Sequence, residues 1–506
     1  MDALLLGLDV GTSGTKALLI GADGQLVAEA TQEYPLSTPR PLWSEQDPRD
    51  WWEGTLAAVR GVFEQVPDAP ERLVGIGLTG QMHGLVLLDG AGEVLRPAIL
   101  WNDQRTGAEC EVITTRVGRE RVLELTGNPV LPGFTAPKIE WVRRHEPEVL
   151  GRVAHVLLPK DYVRYRLTGE LHTDVADASG TSLFDVGRRG WSEEMLEALE
   201  LPRDWMPEVH ESPEVCARTR AIEACGLPAG IPVVAGAGDQ AAQGIGAGIL
   251  EEGVVSATFG TSGVVFAASD AYRVDPLGRL HAFCHASPGK WHLMGCVLSA
   301  GGSLRWFRDA LCEAQVARAE GAGVDPYEEL VAAAAEVEGG VEGLLFLPYL
   351  TGERTPHPDP LARGAFVGLT VRHGHAHLSR AVLEGITYAM RDSLELMREL
   401  GISPAEVRAS GGGARSPFWR QLMADTFGAP IVSSTVDHGA AHGAALLAAV
   451  GAGVFETVEA AAREGIRWSG RLEPDAGAAP ALEAAYRRYQ ALYPALRASF
   501  EAAGQG

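Results

Sequence analysis

Apolar and polar positions near the start fall into short runs broken by glycine. The stretch "ALLLGLDVGTSGTKALLIGADGQLVAEATQEY" (3–34) reads as strand, Gly-rich turn, strand, "ADG" turn and strand, a β-meander. A helix follows over "DPRDWWEGTLAAVRGVFEQV", with Asp47 as N-cap and Pro48 at its first position. The run "LVGIGLTG" (73–80) predicts a strand that leads into "QMHG" and a shorter strand, "LVLLD". From Pro97 to about Asp185 the pattern is mixed, with a helix at "PKIEWVRRH". The run "IPVVAGAGD" (231–239) predicts one strand, and the small-residue segment "QAAQGIGAGIL" (240–250) a helix.

Near residue 250 the pattern starts again. "GVVSATFGTSGVVFAAS" (253–269) is another strand–turn–strand, and its "GTSG" at 260–263 repeats the "GTSG" at 11–14. One such loop is ordinary turn chemistry. Two, each between β-rich runs and half a chain apart, predict two domains of one ancestral type, 1–247 and 248–506. Further on come a strand at "GLLFLPYL", the loop "TGERTPHPDPLARG", a helix over "HLSRAVLEGITYAMRDSLELMREL" and a strand at "EVRASGGGA". Helices at "SPFWRQLMADTFG" and "HGAAHGAALLAAV" precede an Ala/Glu-rich helical tail from about Leu472.

Composition narrows the function classes. A chain of 506 residues exceeds one ordinary core, and 46% apolar with 22% charged residues is a soluble globular balance. The net charge of −23 argues against a nucleic-acid or anionic-membrane binder, so an anionic ligand would be held by backbone N–H groups. Only four cations are lysines (Lys16, Lys138, Lys160, Lys290), a bias that reads as genomic base composition. The six cysteines show no C-x-x-C spacing, which points to reduced thiols and neither disulfides nor zinc. The opening "MDALLLGLDVG" is too short and too acidic for a secretory signal, and no apolar run reaches 18 residues. A soluble, cytoplasmic protein is expected.

Three glycine clusters and one acid carry candidate chemistry. In "LDVGTSGTK" a strand ends in Asp9, and the turn after it offers backbone N–H groups with the hydroxyls of Thr12, Ser13 and Thr15. Such a nest can hold phosphate oxygens, with Asp9 opposite them on a hydrated Mg²⁺. An ordinary hairpin uses the same residues, and neither a Walker loop nor a Rossmann fingerprint is present. The second loop, "TFGTSG", can take further phosphate oxygens at Gly260, Thr261 and Ser262. In "SGGGARS" (410–416), glycines between strand and helix let a flat ring such as adenine approach; a plain turn is the alternative. In "GAGDQAAQG" (236–244), Asp239 stands among Gly and Ala, either as a surface turn or as a charge held in place.

These pieces, together and in order, resemble the FGGY carbohydrate kinases along essentially the whole chain. "FTAPKIEWV" (134–142) and "GAFVGLTVRHGHAHLSRAVLEGI" (364–386) are similar to the two family signatures. "PLWSEQDP", "GQMHG", "RPAILWNDQR", "PGFTAPK", "LLPKDY" and "LPYLTGERTPH" are similar to the branch acting on D-xylulose. The resemblance implies an α/β protein of two actin-like, ribonuclease-H-type domains, with ATP, Mg²⁺ and sugar in the cleft between them, and a homodimer. It places the catalytic base on Asp239, the sugar-binding segment on Gln81, Met82 and His83, and the phosphate and metal loop on Asp9 to Thr15, including Gly11. Asp239 is also a candidate for the metal. The second phosphate loop falls on Thr258 to Ser262, and the adenosine region on Gly301, Gly302, Gly412 and Gly413. One position departs from the D-xylulose pattern: Gln240 stands where Asn is expected, a reach longer by one methylene. Ribulose, gluconate and glycerol are the alternative substrates, and a non-catalytic actin-like nucleotide binder the alternative class.

Trp101, Asn102 and Asp103 fall near the expected sugar, and Arg354 reads as an interdomain contact. The histidines at 373, 375 and 377, and the i, i+4 pair His438 and His442, have ligand-like spacing. Only Asp437 adds a third group, and the family requires no structural metal, so none is expected.

Overall fold

The computed structural model describes residues 3–434 and 439–503. It contains two mixed sheets. In the first, β1 (Leu4–Val10), β2 (Gly14–Gly21) and β3 (Leu26–Glu33) form the expected meander. β4 (Leu73–Gly80) runs parallel to β1, with β6 (Pro232–Val234) parallel beyond it and β5 (Val215–Arg218) antiparallel at the edge. β1 is apolar on both faces because it lies in the middle of the sheet, whereas β3 is mostly exposed and polar because it is an edge. Helix α1 (Pro48–Gln65) starts as expected, with the Asp47 carboxylate accepting from the Arg49 N–H, and packs on β2 and β3.

The second sheet repeats this plan. β8 (Val254–Phe259) and β9 (Gly263–Ser269) form the hairpin, β11 (Trp291–Val297) flanks β9, and β12 (Glu406–Gly411) lies parallel to β8. β13 (Ile431–Ser434) is parallel beyond β12, and β14 (Trp468–Leu472) is antiparallel at the edge. Strand for strand, the order and direction match the first sheet. The second sheet adds one edge strand, β10 (His281–Cys284). The two "GTSG" loops therefore occupy the same place in each sheet. The fold is α/β with two actin-like domains.

Two predicted strands are shorter than expected. "IPVVAGAGD" divides into β6 and a two-residue strand, β7 (Ala237–Gly238), which pairs with the end of β4. Gly236 between them has φ +75°, and a Cβ there would lie 1.9 Å from the Leu78 carbonyl oxygen. The chain steps inward at a point only glycine can occupy. "GLLFLPYL" forms a strand only over Leu345–Leu347.

Two small-residue helices meet between the domains. Helix α3 (Asp239–Gly246) starts on Asp239 itself and stops short of the predicted end. Helix α7 (Gly439–Gly451) comes from the second half of the chain, yet it packs on β1 and β4 of the first sheet. A Cβ on Gly7 would sit 2.0 Å from the Ala441 carbonyl oxygen, and one on Gly77 1.9 Å from that of Ala444. On the α3 side, a Cβ on Gly443 would be 1.8 Å from the Ala242 carbonyl oxygen. The Ala/Gly composition is thus what close crossing requires. His442 is buried, with Nε2 at 2.9 Å from the Gly24 carbonyl oxygen; Asp437 and His438 lie outside the described residues.

A second seam joins β10 to the first domain. The Asn128 side-chain amide donates to the Ala282 carbonyl at 2.9 Å, and the Cys284 N–H donates to Ser179 Oγ at 3.0 Å. Between α3 and the ends of β8 and β12 lies a cavity of about 570 Å³, lined in part by Gln243, Thr258, Ser410 and Gly412. The six cysteines are free thiols. Among the described residues no helix is long and apolar enough to cross a membrane.

Candidate active site

Three parallel strand ends of the first sheet converge, as they do where α/β sheets bind ligands. Asp9 pairs in register with Thr79, and Gly80 with Gly238, so Asp9 and Asp239 project from strands on either side of β4. Asp239 is the first residue of α3, held by Gly238 as N-cap. Desolvation, with the negative charge of Asp9 second, pushes its pKa up to about 7 against lowering hydrogen bonds from Gln240. Burial likewise raises Asp9 to about 6, with Lys16 pulling the other way, and Asp9 Oδ1 is buried without a hydrogen-bond partner. Two carboxylates share one poorly solvated place. Such a pair can accept a proton or take a divalent cation.

The first glycine loop is braced from below. Gln81 is 1% exposed; its amide accepts from the Thr12 hydroxyl at 3.2 Å and donates to Gln46 Oε1 at 3.0 Å. Gln46, from "WSEQDP", in turn donates to the Thr12 carbonyl at 2.7 Å. Thr15 is buried with its hydroxyl 3.5 Å from that of Tyr34, whereas Gly11 and Thr12 are half-buried and Ser13 is exposed. Trp101, 44% exposed, donates its indole N–H to Thr12 Oγ1 at 3.0 Å and so stands beside the loop. Asp103 is a support instead: it accepts from the Ser44 N–H and pairs with Arg105.

His83 adopts φ +66°, an unusual value for a side chain that size. Its carbonyl is held in place by Lys138 Nζ at 2.8 Å and the Thr135 hydroxyl at 3.1 Å. The ring stacks on Phe134 (centroids 4.4 Å, 15°), and Nδ1 lies 2.7 Å from the Gly180 carbonyl oxygen. A carbonyl only accepts, so Nδ1 carries the hydrogen and Nε2 is an acceptor. Burial, reinforced by the charges of Lys138 and Arg354, lowers the ring to about 3 and keeps it neutral. Met82 is 4% exposed and packs against the space beside Gly238 and Gly180. Lys138 and Gly180 contact His83 directly; Lys138 lay within "FTAPKIEWV" without an assigned role, and Gly180 in none of the motifs.

The second domain supplies the other half. Gly260, Thr261 and Ser262 are exposed at the tip of the β8–β9 hairpin. The N–H groups of Gly301 and Gly302, opening helix α4 (Gly301–Leu311), donate to the carbonyls of Gly260 (2.8 Å) and Thr261 (2.9 Å). These two glycines therefore brace the loop: a Cβ on Gly301 would be 2.4 Å from the Gly260 oxygen. Arg305, not singled out from sequence, donates to Thr261 Oγ1 at 2.7 Å. A cavity of about 670 Å³ joins Gly260, Thr261, Gly301, Arg305, Gly412 and Gly413, with Tyr327 on its wall. Gly412 has open space where a Cβ would be, while Gly413 packs on Phe259 and Trp419. The sites expected separately for phosphate and for adenine thus line one pocket.

Three ligand-like groups lie elsewhere, one of them the partly exposed His172, Glu208 and His210. The rings of His373 and His377 lie tilted at 52°, 5.5 Å between centroids. The buried group Asp161, Asp174 and Asp177 already surrounds Lys160 Nζ at 2.6, 2.6 and 3.1 Å.

Two actin-like domains, each with a glycine hairpin at the same place in its sheet, and a buried, unpartnered Asp9 oxygen at a strand end fit the class of actin-like sugar kinases. The N-terminal and C-terminal domain models of the FGGY family of carbohydrate kinases match residues 4–246 and 255–452, and the chain belongs to that family. It is a carbohydrate kinase. It is 45% identical over 452 residues to the xylulose kinase of Escherichia coli (strain K12), covering 89% of this chain and 90% of that one. The crystal structure of xylulose kinase from Rhodospirillum rubrum is similar at TM-score 0.92 and 34% identity, covering 98% of this chain and 100% of that one. That of gluconate kinase from Lactobacillus acidophilus is also similar, at TM-score 0.92 and 26% identity over 99% of each chain.

Proposed function

We propose that the chain transfers the γ-phosphoryl group of ATP to D-xylulose, giving D-xylulose 5-phosphate and ADP. The observation that carries this reading is the Asp239 carboxylate at the meeting of strand ends, with a proton affinity near neutrality. A sugar hydroxyl is a weak nucleophile until its proton is taken. Asp239 accepts that proton as the oxygen–phosphorus bond forms and the bond to the ADP oxygen breaks. His83 Nε2 accepts a hydrogen bond from another hydroxyl and fixes the sugar's rotation. The loop at Gly11–Ser13, half-buried except at Ser13, and the exposed loop at Gly260–Ser262 offer N–H and hydroxyl groups to phosphate oxygens, and the cavity at Gly412 takes the adenosine. The unpartnered, buried Asp9 oxygen fits a Mg²⁺ held by Asp9 with Asp239 beside it. When bound, that ion would offset charge on the transferring phosphoryl group.

The relatives favour D-xylulose, whereas the fold alone also suits gluconate. Comparing kcat/KM for D-xylulose, D-ribulose, D-gluconate and glycerol decides between them. D-Xylulose is expected to lead the panel by at least tenfold. A lead by gluconate or glycerol would keep the chemistry and replace the sugar. Gln240→Asn is expected to alter the ranking of sugars with little change in the KM for ATP. The six free thiols support a reducing, cytosolic setting.

A further inference from the structure

Arg354 lies in the second domain, in the loop that joins the paired short strands Leu345–Leu347 and Ala365–Val367. That loop is fixed on both sides of it. Glu353 exchanges backbone hydrogen bonds with Asp359 at 3.0 Å each way. The Glu353 carboxylate accepts from the Leu298 N–H at 2.9 Å and the Arg354 N–H at 2.7 Å. Thr355 donates its N–H to the Cys296 carbonyl at 3.1 Å, and its Oγ1 accepts from the Cys296 N–H at 3.1 Å. Arg354 is thereby rooted at the end of β11. That strand and its neighbour β10 supply Met294 and Phe283, which cluster with Met82 and Phe134 of the first domain. Phe134 is the ring on which His83 stacks, and His281 of β10 lies 5.9 Å from it. The charge of Arg354 bears on both His83 and His281.

The guanidinium, half-buried at this junction, has no hydrogen bond or ion pair among the described residues. Glu353 is no counter-charge, because burial lifts its carboxyl to about 8 and leaves it protonated at neutral pH. A partly desolvated cation without a partner is costly unless a ligand completes it. The guanidinium can only donate, and His83 Nε2 can only accept. A hydroxyl both donates and accepts, so a sugar hydroxyl can satisfy the two together.

We infer that Arg354 is a sugar-positioning residue supplied by the second domain, donating to oxygens of the bound sugar opposite His83. Resting on the sugar-kinase reading above, this makes the sugar a bridge between the domains, so that its arrival favours closure.

The test measures KM for D-xylulose and for ATP separately in native protein, Arg354→Gln and Arg354→Lys, with thermal melting as a check of folding. Losing a charged hydrogen bond predicts a sugar KM raised about 10- to 100-fold in Arg354→Gln, with KM for ATP changed less than about twofold. Arg354→Lys, which keeps the charge but not the fork, is expected to fall between. An unchanged sugar KM in a folded Gln variant, or equal loss for both substrates, overturns the inference. Should the Gln variant not fold, the Lys variant decides by the same comparison. Native protein without any sugar-dependent turnover would instead overturn the kinase reading itself.

Discussion

At the scale of the residue, the site turns on two carboxylates whose environments resist ionisation. Asp239 near 7 and Asp9 near 6 are both lifted chiefly by desolvation, and Asp9 also adds its charge to the burden on Asp239. A base must be ionised to accept a proton, so kcat/KM should rise with pH through about 7 and level off above it. Removing the neighbouring negative charge lowers the proton affinity of Asp239. In metal-free protein the Asp239 carboxyl should therefore titrate at lower pH in Asp9→Asn than in the native chain, as read by NMR titration. A titration that stays in place, or moves upward, contradicts the coupling. Asp239 stood out as a candidate in the sequence because one acid stood in a run of Gly and Ala within a recognisable motif. Its proton affinity was not legible, since that depends first on burial by the packed fold and then on Asp9, 230 positions away across β4.

At the scale of the element, glycines set how closely pieces approach. The meander, α1 and both "GTSG" hairpins were legible because turn residues and apolar runs are local signals. The break at Gly236 and the seating of α7 on the first sheet were not, because each is enforced by a distant carbonyl. Gln46, Lys138 and Arg305 stayed hidden for the same reason: their partners are the Thr12 carbonyl, the His83 carbonyl and the Thr261 hydroxyl. Gly443→Ala should cost about 1–3 kcal/mol or more, since its Cβ would meet backbone, not a movable side chain. Thermal melting should show a drop of several degrees. Gly107→Ala, at the start of a helix with nothing near its Cβ, should be neutral or mildly stabilising. Equal melting temperatures for the two variants would contradict this account of the α3–α7 crossing.

At the scale of the whole molecule, a repeated sheet places two similar loops on two domains and leaves the chemistry to where they differ. In the proposed reaction the first domain would contribute Asp9, Asp239 and His83. The second contributes the braced loop at Gly260–Ser262 and the cavity beside Gly412. Two seams, α3 with α7 and β10 with Asn128 and Ser179, join the halves, so closing around both substrates would exclude water from the transfer. The central claim is that Asp239 takes the sugar's proton, and the most direct measurement is ADP release in native protein and Asp239→Asn, with and without D-xylulose. The account predicts release that depends on the sugar in the native protein and falls about 100- to 10,000-fold in the variant, with the fold intact by circular dichroism. Sugar-dependent release of equal size in both proteins would contradict it.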